Sequence, residues 1–326
     1  MSDLWSTVSA LPKADLHAHL NGCIPTIVVK ELLREFSVRI PEGFDPETDL
    51  QVTTPVSSLT EYFRPWYLLK LLPVGKSCLD RMVLEALRSL GADGVRYVEF
   101  RNSPFSIAKQ NNISLEESLE WLVDSLTVAS SQTGIDARLI PGLSRFDCSP
   151  EQGLGLLEAI KATNRAGRIV GVDLSGDEDK PIDGEIARFF RIAKDEIGLG
   201  VTIHAGETFV ASNVEWAVKE CGADRIGHCL AAATEPRLLE SLARRDVCIE
   251  ACLSSNILTG RVASVKQHPI GKFIEAGVPF VLCTDNPSVH NVPLSGEYAL
   301  FGEHFPESAV LDTMYDRQLE YSFRKG

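Results

Sequence analysis

Two of the chain's seven histidines, His17 and His19, stand one residue apart in the run KADLHAHLNG, residues 13–22. In an extended strand, residues i and i+2 point to the same face. The two imidazoles then project side by side, while Leu16, Ala18 and Leu20 face the other way. Such a pair is half of a metal site, or equally a pair of hydrogen-bonded histidines on a half-buried strand. More candidates stand in similar places. His204 in GVTIHAGE, His228 in DRIGHC and Asp285 in VPFVLCTDNP each end a short apolar run. Imidazole plus carboxylate is a ligand set that suits zinc. Zinc held by three or four protein groups, with one position open, lowers the pKa of bound water to about 7 and makes hydroxide available at neutral pH. Glu207, three residues past His204, has the chemistry of a general acid or base. An acidic residue there would also stabilise a helix N-terminus.

For these groups to meet, their runs must be strands of one sheet. Besides ADLHAHL, apolar runs rich in Val and Ile recur at 95–100, 136–142, 168–176, 200–206, 224–229, 247–254 and 278–285, which makes eight. Helical patterns lie between them. Residues 114–134 open with a capping box, Ser114 and Glu117, and end in Gly134. Ser149 is the N-cap of the next, with Pro150 at the first helical position and Gln152 completing the box. The stretches 235–245 and 269–277 carry apolar residues three and four apart. Strand–helix alternation predicts parallel βαβ units. Eight of them predict an α/β fold, a closed (β/α)8 TIM barrel, over an open doubly wound sheet. The first βα turn, HLNGCIP, also lacks the GxGxxG dinucleotide fingerprint.

In such a barrel the active site lies at the carboxyl ends of the strands. His17, His19, His204, His228 and Asp285 would converge there. A buried polar cluster of that kind is costly without a metal, and this weighs for the metal reading of the opening pair. His268, His290 and His304 fall in loops or helices and read as surface residues. No lysine ends the fourth strand, where VDLSGDED stands. A carbamylated lysine bridging a second metal is therefore missing, and one metal is expected.

Composition bounds the partners. The 326 residues are 44% hydrophobic and 24% charged, with a net charge of −13, which is an ordinary globular composition. Binding phosphates needs clustered Lys and Arg, so nucleic acid is not expected as a partner. No run approaches the ~18 apolar residues of a membrane span, so no membrane association is expected. The start, MSDLWSTVSALPKADL, has neither the basic opening nor the apolar core of a signal peptide. A cytoplasmic protein is expected. The eight cysteines form no CxxC pair. They read as reduced core thiols, Cys248 and Cys252 on one strand. A single domain, 1–326, is expected, with an inserted lid-like segment around 39–75.

The motifs PKADLHAHLNG, VRYVEFRNSP, VDLSGDE, HAGE, DRIGHC, CLSSN and CTDNP run in this order from Pro12 to Pro287. Together they resemble the adenosine deaminase family, within the wider amidohydrolase group. The resemblance implies zinc-dependent hydrolytic deamination of a 6-aminopurine nucleoside, adenosine to inosine plus ammonia, with one Zn2+ per chain. It implies His17, His19, His204 and Asp285 as zinc ligands. Glu207 is similar to the residue that exchanges a proton with purine N1. His228 resembles the histidine that orients the attacking water and balances its charge. The backbone N–H of Gly176 matches the position facing purine N3. Leu59, Tyr62, Phe63 and Trp66 resemble the apolar helix that closes over the ribose, though the same residues would make a plain amphipathic helix.

Two positions depart from the family pattern. Asn21 stands where the family usually has Asp, on the ribose 5′ side. Asn286 stands where it usually has a second Asp, facing purine N7. An Asn amide donates to N7 directly, whereas Asp needs a shared proton. Asn21 removes a charge that would repel a 5′-phosphate, and the HLNG form resembles the branch acting on N6-methyl-AMP. Deamination of N6-methyl-AMP, or of another 6-aminopurine nucleotide or base, is therefore the alternative. A cyclic-amide hydrolase would want the second-metal lysine, and a binding-only relative would have lost Glu207 or a ligand. The H-x-E…P-C-x-x-C signature of the other zinc deaminase scaffold is absent.

Overall fold

The computed structural model describes residues 2–324, without the side chains of residues 2, 3, 59, 60 and 165. Eight strands follow in chain order: β1 (Lys13–His19), β2 (Val95–Asn102), β3 (Asp136–Ser144), β4 (Gly171–Ser175), β5 (Gly200–Ala205), β6 (Arg225–His228), β7 (Cys248–Ala251) and β8 (Phe280–Leu282). Each pairs with the next in parallel. The ring closes just past β8. The Asp285 N–H donates to His17 O at 2.8 Å, and the His19 N–H donates to Asp285 O at 2.9 Å. This is the expected (β/α)8 barrel.

Helices follow the strands and cover the barrel. Ser114 caps Leu115–Thr133 by accepting from the Glu117 N–H, and that helix stops at Gly134 with φ +74°. Both halves of the capping box form at Ser149 and Gln152. Apolar side chains of strands and helices make a continuous core between the two layers. The barrel's interior is different. Glu99, Arg101, Asp173, Thr202, Arg225 and Glu250 are all buried there and bond to one another. Arg225 donates to Glu99 at 2.6 Å and to Glu250 at 2.8 Å, and Thr202 donates to Glu250 at 2.9 Å. Phe323 closes the lower end, its ring centroid 3.6 Å from the Arg225 guanidinium. Gly171 and Gly200 make room for that ring, because a Cβ at either position would overlap it.

Some boundaries differ from the sequence reading. Asn21-Gly22 is not a turn but part of a short helix, Leu20–Cys23. Gly22 is needed there because a Cβ would strike Asn286. β7 ends at Ala251, and Cys252 is the N-cap of the helix Leu253–Leu258 rather than a strand residue. Buried Glu297 draws the chain into that helix by accepting the Leu253 N–H at 2.8 Å and the Ser254 N–H at 3.2 Å. β8 ends three residues before Asp285, where the backbone turns into the left-handed region.

Residues 39–58 are largely irregular, and two short helices, Leu59–Tyr62 and Trp66–Leu69, follow. The Val52 N–H donates to Val289 O at 2.9 Å and the Val56 N–H to Leu258 O at 3.0 Å. The segment is thereby laid across the loops that follow β7 and β8. The side chain of Leu59 lies outside the described residues. All eight cysteines are free thiols, and all but Cys148 are buried. Among the described residues, no helix is long and apolar enough to cross a membrane.

Candidate active site

His17, His19, His204 and Asp285 come together at the carboxyl end of the barrel. One ligand atom from each lies within 4.8 Å of all the others. β1 delivers both His17 and His19, β5 delivers His204, and the closure of the ring delivers Asp285. Asp285 has φ +63°. A non-glycine residue held in that region costs on the order of 1–3 kcal/mol, and such strain collects at functional sites.

The outer hydrogen bonds aim the lone pairs inward. His17 Nδ1 lies 2.8 Å from Glu250 Oε2, and His204 Nδ1 lies 3.1 Å from Asp173 Oδ1. A carboxylate can only accept, so each histidine carries its proton on Nδ1 and offers an Nε2 lone pair to the cluster. The buried His17 Nε2 has no hydrogen-bond partner and stands 3.6 Å from Asp285 Oδ1. His19 Nε2 is 3.2 Å from His204 Nε2 and 3.3 Å from Asp285 Oδ1. An unpartnered buried nitrogen and facing ring nitrogens around one carboxylate oxygen are what a cation among them would satisfy. The donors fit one zinc ion.

Charge states agree with this geometry at His19 and His204, whereas at His17 burial and Arg101 are outweighed by Asp285 and Glu250, which raise its pKa. Burial pushes the His19 pKa down to about 3, with His204 and His17 adding to the effect and Asp285 opposing it. Burial also lowers His204, against Asp173. Both are neutral, as ligands must be. Burial alone would raise the Asp285 carboxyl, but the surrounding histidines hold it well below the ordinary range.

Glu207 lies just past β5, half-buried above the cluster. Burial, then the like charges of Asp285 and Glu178, push its carboxyl up to about 8. His228 ends β6 with φ +65°, and its ring centroid is 5.0 Å from that of His17. Gly176 has φ +100° and sits at the end of β4 beside Phe146. Tyr62, Phe63 and Trp66 form an aromatic group on the inserted segment, with centroid separations of 5.2 to 5.7 Å.

The two asparagines are at the site, and both are engaged. Asn21 Nδ2 donates to Leu69 O at 3.1 Å, and its Oδ1 accepts from Asn102 at 3.0 Å. Asn286 Nδ2 donates to Asp285 Oδ1 at 2.7 Å and to the Tyr62 hydroxyl at 3.2 Å. Asn21 thus ties the short helix after β1 to the inserted segment, and Asn286 steadies the Asp285 carboxylate.

The remaining histidines correct the sequence reading. His268 and His290 are not surface residues; they are 4% and 2% exposed, and His304 is half-buried. His290 Nε2 lies 3.0 Å from the Tyr62 hydroxyl, and His268 bonds to Asn256. Sequence reasoning also missed the supports: Glu250, Asp173, Ser255 and Glu178. Ser255 donates to Asp285 Oδ2 at 2.6 Å. Glu178 accepts from the Thr208 N–H at 2.9 Å and braces the HAGE turn. Three of these stand inside the motifs of the sequence, Asp173 and Glu178 in VDLSGDE and Ser255 in CLSSN.

A family model described as adenosine deaminase matches residues 12–311. The chain belongs to the adenosine deaminase family. The adenosine deaminase of Serratia proteamaculans is 34% identical over 296 residues, covering 89% of this chain and 87% of that one. The adenosine deaminase of Edwardsiella ictaluri is 32% identical, covering 96% and 92%. Among solved structures, a zinc-bound amidohydrolase from Burkholderia ambifaria superposes with a TM-score of 0.86 at 23% identity, covering 98% and 88%. The Arabidopsis N6-mAMP deaminase superposes at 0.83 with 24% identity, covering 98% and 96%. Adenosine deaminase family members are zinc-dependent hydrolases of C–N bonds, and one zinc ion is the cofactor that this donor set fits.

Proposed function

We propose that the chain hydrolyses adenosine to inosine and ammonia, with one zinc ion held by His17, His19, His204 and Asp285. The observation that carries this reading is the cluster of three imidazole nitrogens and one carboxylate oxygen within 4.8 Å, beside a carboxyl pushed up to about 8. When bound, zinc acts as a Lewis acid that makes water nucleophilic at neutral pH. The protonated Glu207 carboxyl gives its proton to purine N1, which breaks the ring's aromaticity and makes C6 electrophilic. His228 orients the attacking water toward C6. The Glu207 carboxylate then takes one proton from the attacking water and passes it to N6; the C6–N6 bond breaks, ammonia leaves, and the proton remaining on O6 returns to Glu207, which gives the inosine carbonyl and restores the acid. Gly176 offers its backbone N–H to purine N3. Tyr62, Phe63 and Trp66 exclude water over the ribose, on a lid of residues 39–75 inserted in a single-domain enzyme. Its free, buried thiols suit a reducing cytoplasm.

A second reading, deamination of N6-methyl-AMP or AMP, is favoured by Asn21, which removes a repelling carboxylate from the 5′ side. Lys70 adds a cation there. It is exposed, 5.7 Å from the Phe146 ring centroid, and forms no ion pair among the described residues. Arg64 is not available, because it is bound to Asp49 at 2.8 and 2.9 Å. The test is the zinc-loaded protein mixed with adenosine, AMP, N6-methyl-AMP and adenine, read by ultraviolet shift and amine release. Adenosine turned over with the highest kcat/KM supports the first reading. Preference for a monophosphate supports the second, and no turnover of any of the four defeats both.

A further inference from the structure

A chain of hydrogen bonds runs from the backbone before β8 to the active site. The Ile270 N–H lies 3.2 Å from His268 Nδ1. His268 Nε2 lies 3.0 Å from Asn256 Oδ1, and Asn256 Nδ2 lies 3.1 Å from His228 Nδ1. All three side chains are buried, Asn256 completely. We propose that Asn256 and His268 are positioning residues that lock His228 as the neutral tautomer with its proton on Nε2. The proposal rests on the deaminase reading given above.

The direction of the chain is set at its far end. A backbone N–H can only donate, so His268 Nδ1 accepts. A buried neutral imidazole has one proton, which His268 then carries on Nε2. Burial pushes the pKa of His268 down to about 3, in keeping with that neutral form. The Nε2–H must meet an acceptor, and this fixes the Asn256 amide with its oxygen toward His268. Its NH2 then points at His228 Nδ1, which must supply a lone pair. The remaining proton of His228 is on Nε2. Asn256 occupies the Nδ1 edge, which leaves the Nε2 edge to the site, and the ring centroid is 5.0 Å from that of His17 and 5.4 Å from that of His204. His228 therefore presents a donor to the attacking water and carries no net charge. The reversed tautomer would present a lone pair, which accepts from a water O–H but cannot donate to the water oxygen.

Asn256 lies in the helix after β7 and His268 just before the helix Ile270–Glu275. Neither is a metal ligand, so altering them leaves the zinc donors intact. The experiment uses zinc-loaded, 15N-histidine-labelled protein. Long-range proton–nitrogen spectra report which ring nitrogen of His228 is protonated. Wild type is expected to show Nε2 protonated and Nδ1 bare. In Asn256→Asp the carboxylate accepts from both neighbours, and His228 Nδ1 becomes protonated. His268→Phe removes the anchor, frees the amide to flip, and gives a mixture of tautomers. Loss of such an outer partner costs on the order of 10–100-fold in activity. That loss is expected in kcat, with KM and the zinc content of one per chain unchanged, and His268→Gln, which restores a donor, recovers part of it. A protonated Nδ1 in wild type, or kcat unchanged in both Asn256→Asp and His268→Phe, would overturn the proposal. Absence of turnover of adenosine, AMP, N6-methyl-AMP and adenine in wild type would defeat the deaminase reading and leave the tautomer measurement standing, so the two failures are distinguishable.

Discussion

Glu250→Gln is the most informative single substitution, because it changes one atom and no volume at the junction of the barrel interior and the metal site. Glu250 accepts from His17 Nδ1 at 2.8 Å, from Thr202 at 2.9 Å, from Arg225 at 2.8 Å, and from Arg101. A Gln amide keeps one acceptor and puts an NH2 where two donors already arrive. Arg225 retains Glu99 at 2.6 Å, but among the described carboxylates Arg101 keeps only Asp173, at 3.5 Å, beside the neutral Thr202 hydroxyl at 3.0 Å. Removing one partner of a buried ion pair costs about 3–5 kcal/mol. With an unfolding entropy near 2.1 cal/mol/K per residue, the 326 residues give roughly 0.7 kcal/mol/K, so Tm falls by about 4–7 °C. If the NH2 turns toward His17, that imidazole must accept on Nδ1 and carry its proton on Nε2, in the way of the metal. Zinc affinity then falls on the order of 10–100-fold.

The charge of Glu250 gives the same variant a pH signature. Burial alone would raise this carboxyl; Arg101 and then Arg225 reverse the effect and hold it well below the ordinary range. A depressed acid contributes stability above its unfolded pKa, about 4.3, and loses it as pH falls through the folded value. The gap between wild type and Glu250→Gln should therefore be full at neutral pH and shrink under strong acid. Calorimetry of the zinc-free proteins reads the stability, and competition with a chelator reads the zinc affinity. An unchanged zinc-free Tm would refute the ion-pair argument. A lowered Tm with unchanged zinc affinity would refute the coupling to His17.

Replacing His17 or Asp285 by Ala should remove most bound zinc and nearly all activity; full zinc by atomic absorption in both would sink the ligand assignment. Glu207→Gln should keep the fold and zinc but lose on the order of 10²–10⁴-fold in kcat. In wild type, kcat/KM should fall as pH rises through a limb no higher than about 8, where the carboxyl loses its proton, since bound zinc lowers that value further. A wild-type profile flat to pH 9 would argue against Glu207 as the acid. Asn21→Asp deletes the donor to Leu69 O and sets a carboxylate against that carbonyl. KM should rise for adenosine and rise further for AMP, whose 5′-phosphate the carboxylate repels; equal loss on both would show that residue 21 does not read the 5′ side.

The frame of the site was legible because period and position carry it. His17 and His19 sit two apart on a strand, and His204, His228 and Asp285 each end an apolar run, so the barrel rule alone brings them to one mouth. What supports them was not legible. Glu250 lies in VCIEACLS and Arg101 in VRYVEFRN, where a charged residue in an alternating strand reads as an outward face. In this barrel that face turns inward, onto other charges. His268 and His290 went astray for a related reason: a lone histidine in a loop carries no periodic mark of burial, and its partners, Asn256 and Tyr62, are 12 and 228 residues away. Asp285 lies past its strand because the ring closes through its own backbone, a long-range fact that no local pattern reports.

The charged interior follows from the chemistry at the mouth. A zinc ligand histidine must be neutral, with its lone pair turned inward, so its outer nitrogen needs an acceptor. Glu250 serves His17 and Asp173 serves His204. A carboxylate buried in a barrel needs cations in turn, which Arg101 and Arg225 supply, and Arg225 reaches on to Glu99. Asp173, Glu99, Glu250 and Asp285 carry four negative charges, and Arg101 and Arg225 carry two positive ones. Among these six side chains the carboxylates outnumber the guanidiniums by two, an excess of negative charge that a divalent cation at the cluster offsets. Metal and barrel interior are then one electrostatic unit. Loss of the ion should loosen the lower barrel as well as the mouth, and a change as deep as Glu99 should be felt at the zinc.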